Sequence, residues 1–314
     1  MNETDYYARD WMGVEWSPWY DHYESWKEYD VESGKLDYVP DEPGVYRIRH
    51  ESGVLDGLTY IGQSGDLHRR LITQLAGAMY VSESSRLRPE MPYKVPHAAG
   101  PCLWAICDSY GTKLEISFTS SDNLQDKQIR ETFEDAVTAA YRREIGESPM
   151  ANFARMLVGY KQSTYKNVDK PYRGGKLSSN ETEPKSELGV GPVPWTNSKD
   201  VTSDDWMGLD WSDPLPLSKR KDVSAPEAGV YRIWYEGNTP PLAYIGESSN
   251  LASRFYTHEK NYGSDAIFSF VERTDLDAQH KRREIETDLI GGHYLMTREP
   301  PMAQFGKKNR VPPE

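Results

Sequence analysis

The chain has 314 residues, of which 37% are hydrophobic and 12% aromatic, enough apolar material for packed cores and too much for a wholly disordered protein. No run approaches the roughly 18 to 20 consecutive apolar residues of a membrane-spanning helix, and the start, MNETDYYARD, lacks the basic and apolar regions of a signal peptide. Two cysteines are too few for a disulfide framework, so the expected location is the cytoplasm, without a membrane partner.

The net charge of -12 argues against a protein that holds nucleic acid by bulk electrostatics, but the acidic residues are concentrated at the start of the chain. Residues 1–40 contain ten acidic and three basic residues, whereas 41–160 contain 16 and 13, and 231–314 contain 12 and 11. Ten aromatic residues within 1–40 predict that this acidic segment packs on the first domain. The nearly neutral regions can still present a local basic surface, although basic runs such as Arg69-Arg70 also fit a solvated helix face.

An internal repeat organises the chain. DWMGVEWS at 10–17 returns as DWMGLDWS at 205–212, PGVYRI at 43–48 as AGVYRI at 228–233, and YIGQS at 60–64 as YIGES at 244–248. The copies differ mainly by an insertion near residues 75–107 of the first. The predicted organisation is an N-terminal segment at 1–40, a first domain at 41–160, a linker at 161–204 and a second domain at 205–314.

The first copy reads as two strands, a helix, a strand and a helix. Val45–His50 and Leu58–Gly62 form a predicted hairpin, because a glycine-containing turn joins two β-type runs. An amphipathic helix is predicted over Asp66–Leu75, a third strand over Lys113–Thr119, and a second helix from about Asn123 to Ile145.

The second copy repeats this order after a Lys-, Ser-, Gly- and Pro-rich connection. Its predicted elements are Val230–Tyr235, Leu242–Gly246, Asn250–Thr257, Ala266–Glu272 and Asp277–Gly291. We therefore predict the α+β class, with two tandem small domains, each a three-stranded, mostly antiparallel sheet flanked by helices.

The recurring letters Gly-Val-Tyr, Tyr-Ile-Gly and, further on, an arginine resemble the GIY-YIG nuclease family over roughly 43–160 and 227–306. The resemblance implies a metal-dependent phosphodiester hydrolase in which two tyrosines, an arginine, a glutamate and an asparagine surround the scissile phosphate. The implied site residues are Tyr46, Tyr60, Arg70, Glu134 and Asn152 in the first copy and Tyr231, Tyr244, Arg254, Glu286 and, where asparagine is expected, Gln304 in the second.

These residue types suit phosphodiester hydrolysis, because extra negative charge on the phosphate oxygens calls for a guanidinium and a divalent cation. Glu134 and Glu286 are the expected metal ligands, and a single carboxylate suits Mg²⁺ or Mn²⁺ better than zinc. Tyr46 and Tyr231 are expected to orient or deprotonate the attacking water, with Tyr60 and Tyr244 holding the phosphate.

A histidine stands four residues after the arginine in several members of this family. His258 has that place in the second copy, whereas the first has Gln74 there. His97 of the insertion is a candidate replacement as proton carrier. The alternative is a capping or buried histidine at the start of a helix near Ala98.

The sequence thus predicts a metal-dependent endonuclease acting on double-stranded DNA, restriction- or defence-like, with two sites in a monomer that acts as a pseudo-dimer. One alternative is a nucleic-acid-binding protein whose nuclease sites have decayed, favoured by Gln74 and Gln304. Another is a single active site in the first copy, with the second copy gripping DNA. The recurring tryptophans fit a packing clasp on each domain better than base-stacking residues.

Overall fold

The computed structural model describes residues 6–28, 36, 38–51, 55–80, 97–162, 174–224 and 227–306. The predicted α+β class is confirmed, and the chain divides into two compact units. The first comprises Met1–Asp126 and Pro149–Leu188, and the second Lys127–Ser148 and Gly189–Glu314. Part of the predicted insertion, 81–96, lies outside the described residues. None of the described helices is long and apolar enough to cross a bilayer.

The first unit contains a four-stranded antiparallel sheet rather than the predicted three-stranded one. Its strands are β1 (Tyr20–Asp21), β2 (Gly44–His50), β3 (Leu58–Ser64) and β4 (Leu114–Thr119), in the order β1-β4-β2-β3. The additional strand is only two residues long and pairs through Tyr20 with Ile116. A strand this short has no period-2 pattern of its own, which is why the sequence did not predict it.

The first unit's helices lie around this sheet and include the helix predicted over Asp66–Leu75. They are α1 (His22–Glu28), a π-helical segment Arg69–Leu75 that continues into α2 (Ala76–Tyr80), and α3 (Gly100–Tyr110). A small hairpin of β5 (Tyr160–Gln162) and β6 (Gly174–Lys176) occupies part of the predicted linker. The Tyr160 hydroxyl donates to Asp108 of α3 at 2.7 Å, so this part of the linker packs on the first unit.

The second unit repeats the sheet and adds a helix from the first repeat. Its strands are β7 (Leu215–Pro216), β8 (Gly229–Trp234), β9 (Leu242–Ser248) and β10 (Ile267–Val271), in the order β7-β10-β8-β9. Here too, a two-residue edge strand makes four strands where three were predicted. The helices are α4 (Lys127–Ile145), α5 (Leu251–Tyr262) and α6 (Gln279–Thr297).

Helix α4 belongs by sequence to the first repeat but packs on α6, in the second unit. A Cβ atom on Gly291 would lie 2.6 Å from the Cβ atom of Ala139, so glycine permits the close approach of the two helices. Thr287 donates to the Asp135 carboxylate at 2.9 Å. Both pairs join equivalent positions of the two repeats, and the unit boundary therefore differs from the predicted boundary at residue 160.

A buried ionic network fastens α4 to α6. The Arg142 guanidinium donates to Asp288 Oδ1 at 2.8 Å and to the Val190 carbonyl at 3.2 Å, and Glu284 accepts from Ser148 Oγ at 2.7 Å. Arg142, Asp288 and Glu284 are fully buried. Because each charge has hydrogen-bonded partners, the network tolerates burial that would be costly for an isolated ion.

Each recurring DWMG segment seals a buried arginine. Arg47 lies 4.3 Å from the Trp16 ring centroid and Arg232 lies 4.1 Å from that of Trp211. Arg232 also donates to the Val201 carbonyl at 2.6 Å, and both tryptophans are buried. These contacts support the packing interpretation of the repeated tryptophans.

Candidate active site

In the second unit, two tyrosines from neighbouring strands meet a histidine from α5. The Tyr231 hydroxyl and His258 Nε2 are 2.7 Å apart, and the rings of Tyr231 and Tyr244 stack with centroids 6.0 Å apart. The His258 ring lies 5.1 Å from that of Tyr244. Tyr231 is 0% exposed, whereas Tyr244 is half-buried, so Tyr244 is the more accessible of the two hydroxyl-bearing side chains.

The glycine of the Tyr-Ile-Gly tripeptide makes this tyrosine pair possible. A Cβ atom on Gly246 would lie 2.7 Å from Tyr244 Cε1 and would also collide with the Tyr231 hydroxyl. A Cβ atom on Gly62 would likewise lie 2.7 Å from the Tyr46 hydroxyl and would collide with Tyr60 in the first unit. The last position of the tripeptide must therefore be glycine for the two tyrosine rings to pack as they do.

Arg254 supplies a positive charge at the second cluster. It lies on α5, one turn before His258, and the N-cap of this helix is Asn250, whose side chain accepts from the Ser253 N–H at 2.9 Å. Arg254 is exposed, and its guanidinium group makes no hydrogen bond or ion pair with the described residues. It is therefore available to a phosphate group.

Glu286 supplies a carboxylate to the same cluster from α6. Burial raises the pKa of Glu286 to about 8, and the neighbouring acids Asp135 and Glu247 contribute to the rise. The side chain nevertheless keeps some exposure to solvent. A carboxylate whose charged form is disfavoured by burial and like charge gains from a nearby cation.

The other titratable groups of the cluster are held neutral near pH 7. Burial raises the pKa of Tyr244 to about 12 and that of Tyr231 well above its usual range; Glu286 adds to both increases and Arg254 opposes them. Burial and the Arg254 charge lower the pKa of His258 to about 3. The site thus offers neutral hydroxyl and imidazole groups beside one guanidinium and the carboxyl group of Glu286, which a nearby cation would hold ionised.

Asn152 and Gln304 bind the backbone of the edge strands β3 and β9, respectively. Asn152 Oδ1 accepts from the Ile61 N–H at 2.9 Å, and its Nδ2 donates to the Ile61 carbonyl at 3.0 Å. Gln304 Oε1 accepts from the N–H of Ile245, the equivalent residue, at 3.1 Å. The longer glutamine therefore keeps one of the two asparagine contacts, and both side chains position the strand that carries the second tyrosine.

The first unit brings together Tyr46, Tyr60, Arg70 and His97. The tyrosine ring centroids are 5.9 Å apart, and His97 approaches the Tyr60 ring edge-on at 5.7 Å. The Arg70 Nη1 atom lies 2.9 Å from His97 Nε2 and donates to the Gln63 carbonyl at 3.0 Å. Burial, together with the Arg70 charge, lowers the pKa of His97 to about 3.

The two clusters therefore differ in how their arginines are used. Arg70 is hydrogen-bonded to protein groups, including Gln74 Oε1 at 2.7 Å, whereas the Arg254 guanidinium is available. Glu134, the carboxylate expected at the first site, lies on α4 and is grouped with the second unit. The second unit alone contains all its expected site residues.

Sequence reasoning missed Tyr262, whose ring stacks on His258. It follows His258 by four residues and Arg254 by eight, so it lies on the same helix face. That spacing was the available signal.

No protein-family model, curated protein or solved structure matches this chain. The resemblance to the GIY-YIG nuclease family therefore stays a prediction from the repeated residues and their spacing.

Proposed function

We propose that the chain is a metal-dependent endonuclease that hydrolyses phosphodiester bonds in double-stranded DNA, and that its second unit holds the complete site. The observation that carries the proposal is the convergence of Tyr231, Tyr244, Arg254, His258 and Glu286 within one unit. DNA as the substrate follows from the family resemblance.

The side chains divide the work by charge and exposure. Arg254, which is exposed and has no hydrogen-bond or ion-pair partner for its guanidinium among the residues that the structure describes, faces the phosphate charge. Neutral Tyr244 donates a hydrogen bond to a phosphate oxygen. Tyr231, whose buried hydroxyl is hydrogen-bonded to the neutral His258 Nε2, orients the attacking water.

The donor set fits a divalent cation at Glu286. The acidic neighbours that raise the pKa of Glu286 make a positive charge there favourable, and carboxylate oxygen is a preferred ligand of Mg²⁺. No group of three or more His, Cys, Asp or Glu side chains in the described ranges is arranged to hold a metal, so Glu286 would be its protein ligand. When bound, the cation supplies charge neutralisation at the phosphate.

The residues of the first unit suit cleavage less well than those of the second. Arg70 is engaged by His97, Gln74 and the Gln63 carbonyl, and Glu134 is grouped with the other unit. The engagement of Arg70 and the placement of Glu134 disfavour the alternative in which the first copy cuts DNA and the second grips it. A protein that binds DNA and cuts nothing is the second candidate function.

Cleavage of supercoiled plasmid tests the proposal. We expect cleavage with Mg²⁺ or Mn²⁺, none in EDTA, and a loss of about 100-fold or more in Glu286→Gln, because the charged ligand is removed. Glu272→Gln, an exposed site on the same unit, should cleave normally. Full activity in EDTA would overturn metal dependence, and DNA binding without cleavage under any metal would favour the binding protein.

A further inference from the structure

Tyr262 is the last residue of α5 and belongs to no part of the family pattern. Its ring stacks on that of His258, with centroids 5.2 Å apart and planes at 27°, and lies 6.2 Å from the Tyr244 ring. Only 8% of Tyr262 is exposed. The His258 ring therefore contacts three tyrosine rings, one of which has no role in the mechanism above.

The position of Tyr262 is itself fixed from two sides. The Tyr235 hydroxyl donates to the Tyr262 carbonyl at 2.6 Å. The helix ends at Gly263, whose φ of +85° favours glycine and whose N–H donates to the Glu259 carbonyl. These two contacts hold the backbone of Tyr262 in place, at the point from which its ring extends toward His258.

His258 needs such a contact because hydrogen bonding restrains only one end of its ring. Its Nε2 atom meets the Tyr231 hydroxyl, whereas its Nδ1 atom is buried and has no hydrogen-bond partner in the described part of the chain. A ring held by one hydrogen bond can rotate about it. A flat aromatic contact is the second restraint.

We propose that Tyr262 is a positioning residue of the second site, whose ring holds the His258 imidazole in the plane in which Nε2 meets the Tyr231 hydroxyl. This inference rests on the proposed function for its consequence in catalysis. The equivalents of His258, Tyr262 and Tyr235 in the first repeat are Gln74, Ala78 and His50, so the arrangement belongs to the second repeat.

The structural claim is testable without any cleavage assay, by NMR titration of labelled histidines in the full chain, with His258→Asn used to assign the resonance. The groups facing His258 are Tyr231 on β8, Tyr244 on β9, Arg254 and Tyr262 on α5, and, beyond the tyrosines, Glu286 on α6. Tyr262→Leu should raise the pKa of His258 by about one unit or more, because it admits water. Tyr262→Phe should not, because the ring remains.

Two further variants sharpen this test. Tyr256→Leu changes an exposed tyrosine of the same helix and should leave the His258 resonance as in the wild type. Tyr235→Phe removes only the bond to the Tyr262 carbonyl and should give a smaller shift than Tyr262→Leu, which keeps the proposal testable if the leucine variant does not fold. An unshifted His258 resonance in folded Tyr262→Leu, or in Tyr235→Phe if the leucine variant does not fold, would overturn the proposal.

Cleavage then separates this inference from the proposed function. Tyr262→Leu should lower kcat about tenfold or more with little change in KM, and should add nothing to His258→Ala. A shifted His258 resonance with unchanged kcat would leave the positioning intact and contradict the use of His258 in catalysis. Loss of kcat in Tyr262→Leu that adds fully to His258→Ala would contradict action through His258.

Discussion

At the residue scale, Gly246 of β9 decides whether the tyrosine pair of the second unit can form, because it lies against both rings. Gly246→Ala places a Cβ atom 2.7 Å from Tyr244 Cε1, so the pair must move apart. We expect the free energy of unfolding to fall by about 1 to 3 kcal/mol, the usual cost of overpacking, as measured by urea denaturation. Gly191→Ala, which meets nothing within 4 Å, is the matched control and should cost much less.

His22 makes the stability of the first unit sensitive to acid. It is fully buried, with Nε2 2.8 Å from the Leu71 carbonyl and Nδ1 2.9 Å from the Tyr80 hydroxyl, and burial lowers its pKa to about 4. The unfolded chain takes up the proton near pH 6.5, so the free energy of unfolding should fall as pH drops from 6.5 to 4 and then level off.

The size of this acid effect follows from the pKa difference and is roughly 3 kcal/mol for His22. Urea denaturation at pH 7 and pH 4.5 measures it. His22→Gln should be less stable at pH 7 but should lose less stability than the wild type between these two pH values. An equal loss in both proteins would show that other groups carry the pH dependence.

The sequence identified most of the second cluster because short motifs fix the spacing of Tyr231, Tyr244 and Arg254 along neighbouring elements. It did not show how the side chains are used. The bond from Asn152 to Ile61 spans 91 residues, and no local pattern reports that the amide faces a strand rather than a substrate. The engagement of Arg70 by His97 is a long-range contact of the same kind.

At the element scale, the pairing of α4 with α6 depends on Arg142. Arg142→Met would remove the guanidinium that pairs with the buried carboxylates of Asp288 and Glu284, and removing one member of a buried ionic network costs about 3 to 5 kcal/mol. Urea denaturation should show this loss. Lys127→Met, which removes an exposed α4 pair with Glu131, should cost less than about 1 kcal/mol.

The hydrophobic patterns predicted the longer strands and the helices α4, α5 and α6, since each of these elements has its own period, whereas α1 was not predicted and α3 entered only as an alternative helix near Ala98. They did not predict β1 and β7, which are two residues long and exist through pairing with β4 and β10. Nor can an amphipathic pattern specify a partner: α4 was predicted as a helix, but its apolar face gives no indication that α6 lies against it. The buried Arg142 is also a poor signal, because arginine usually lies at the surface.

At the scale of the whole molecule, the second unit is not a continuous C-terminal fragment, because it includes α4 from the first repeat. A fragment of residues 200–314 lacks α4 and the Val190 N–H that donates to Glu284 at 2.6 Å, and it loses the Arg142 guanidinium that pairs with Asp288. We expect this fragment to lack a cooperative unfolding transition by circular dichroism. The fragment 127–314 contains every segment of the unit and should show one; cooperative unfolding of 200–314 would contradict this prediction.

The proposed division of labour between the repeats rests on the units in which the two glutamates lie and on the contacts of the two arginines. Glu286 stands with an available Arg254 in one unit, whereas Arg70 is engaged and Glu134 is grouped with the other unit. We therefore expect Glu286→Ala to abolish both nicking and linearisation of supercoiled plasmid, and Glu134→Ala to retain nicking. The double variant should still bind DNA, because loss of acidic side chains does not weaken attraction to phosphate.

Gel analysis of the three variants distinguishes the possible arrangements. If each single variant nicks plasmid without linearising it, each repeat cuts one strand and the first site is functional despite the engagement of Arg70. If Glu134→Ala is inactive while Glu286→Ala cleaves at the wild-type rate, the first site is the working one and the proposed assignment is wrong. The expected difference between the two variants requires that α4 contributes only packing to the second unit. Glu134→Ala then leaves the site around Glu286 intact.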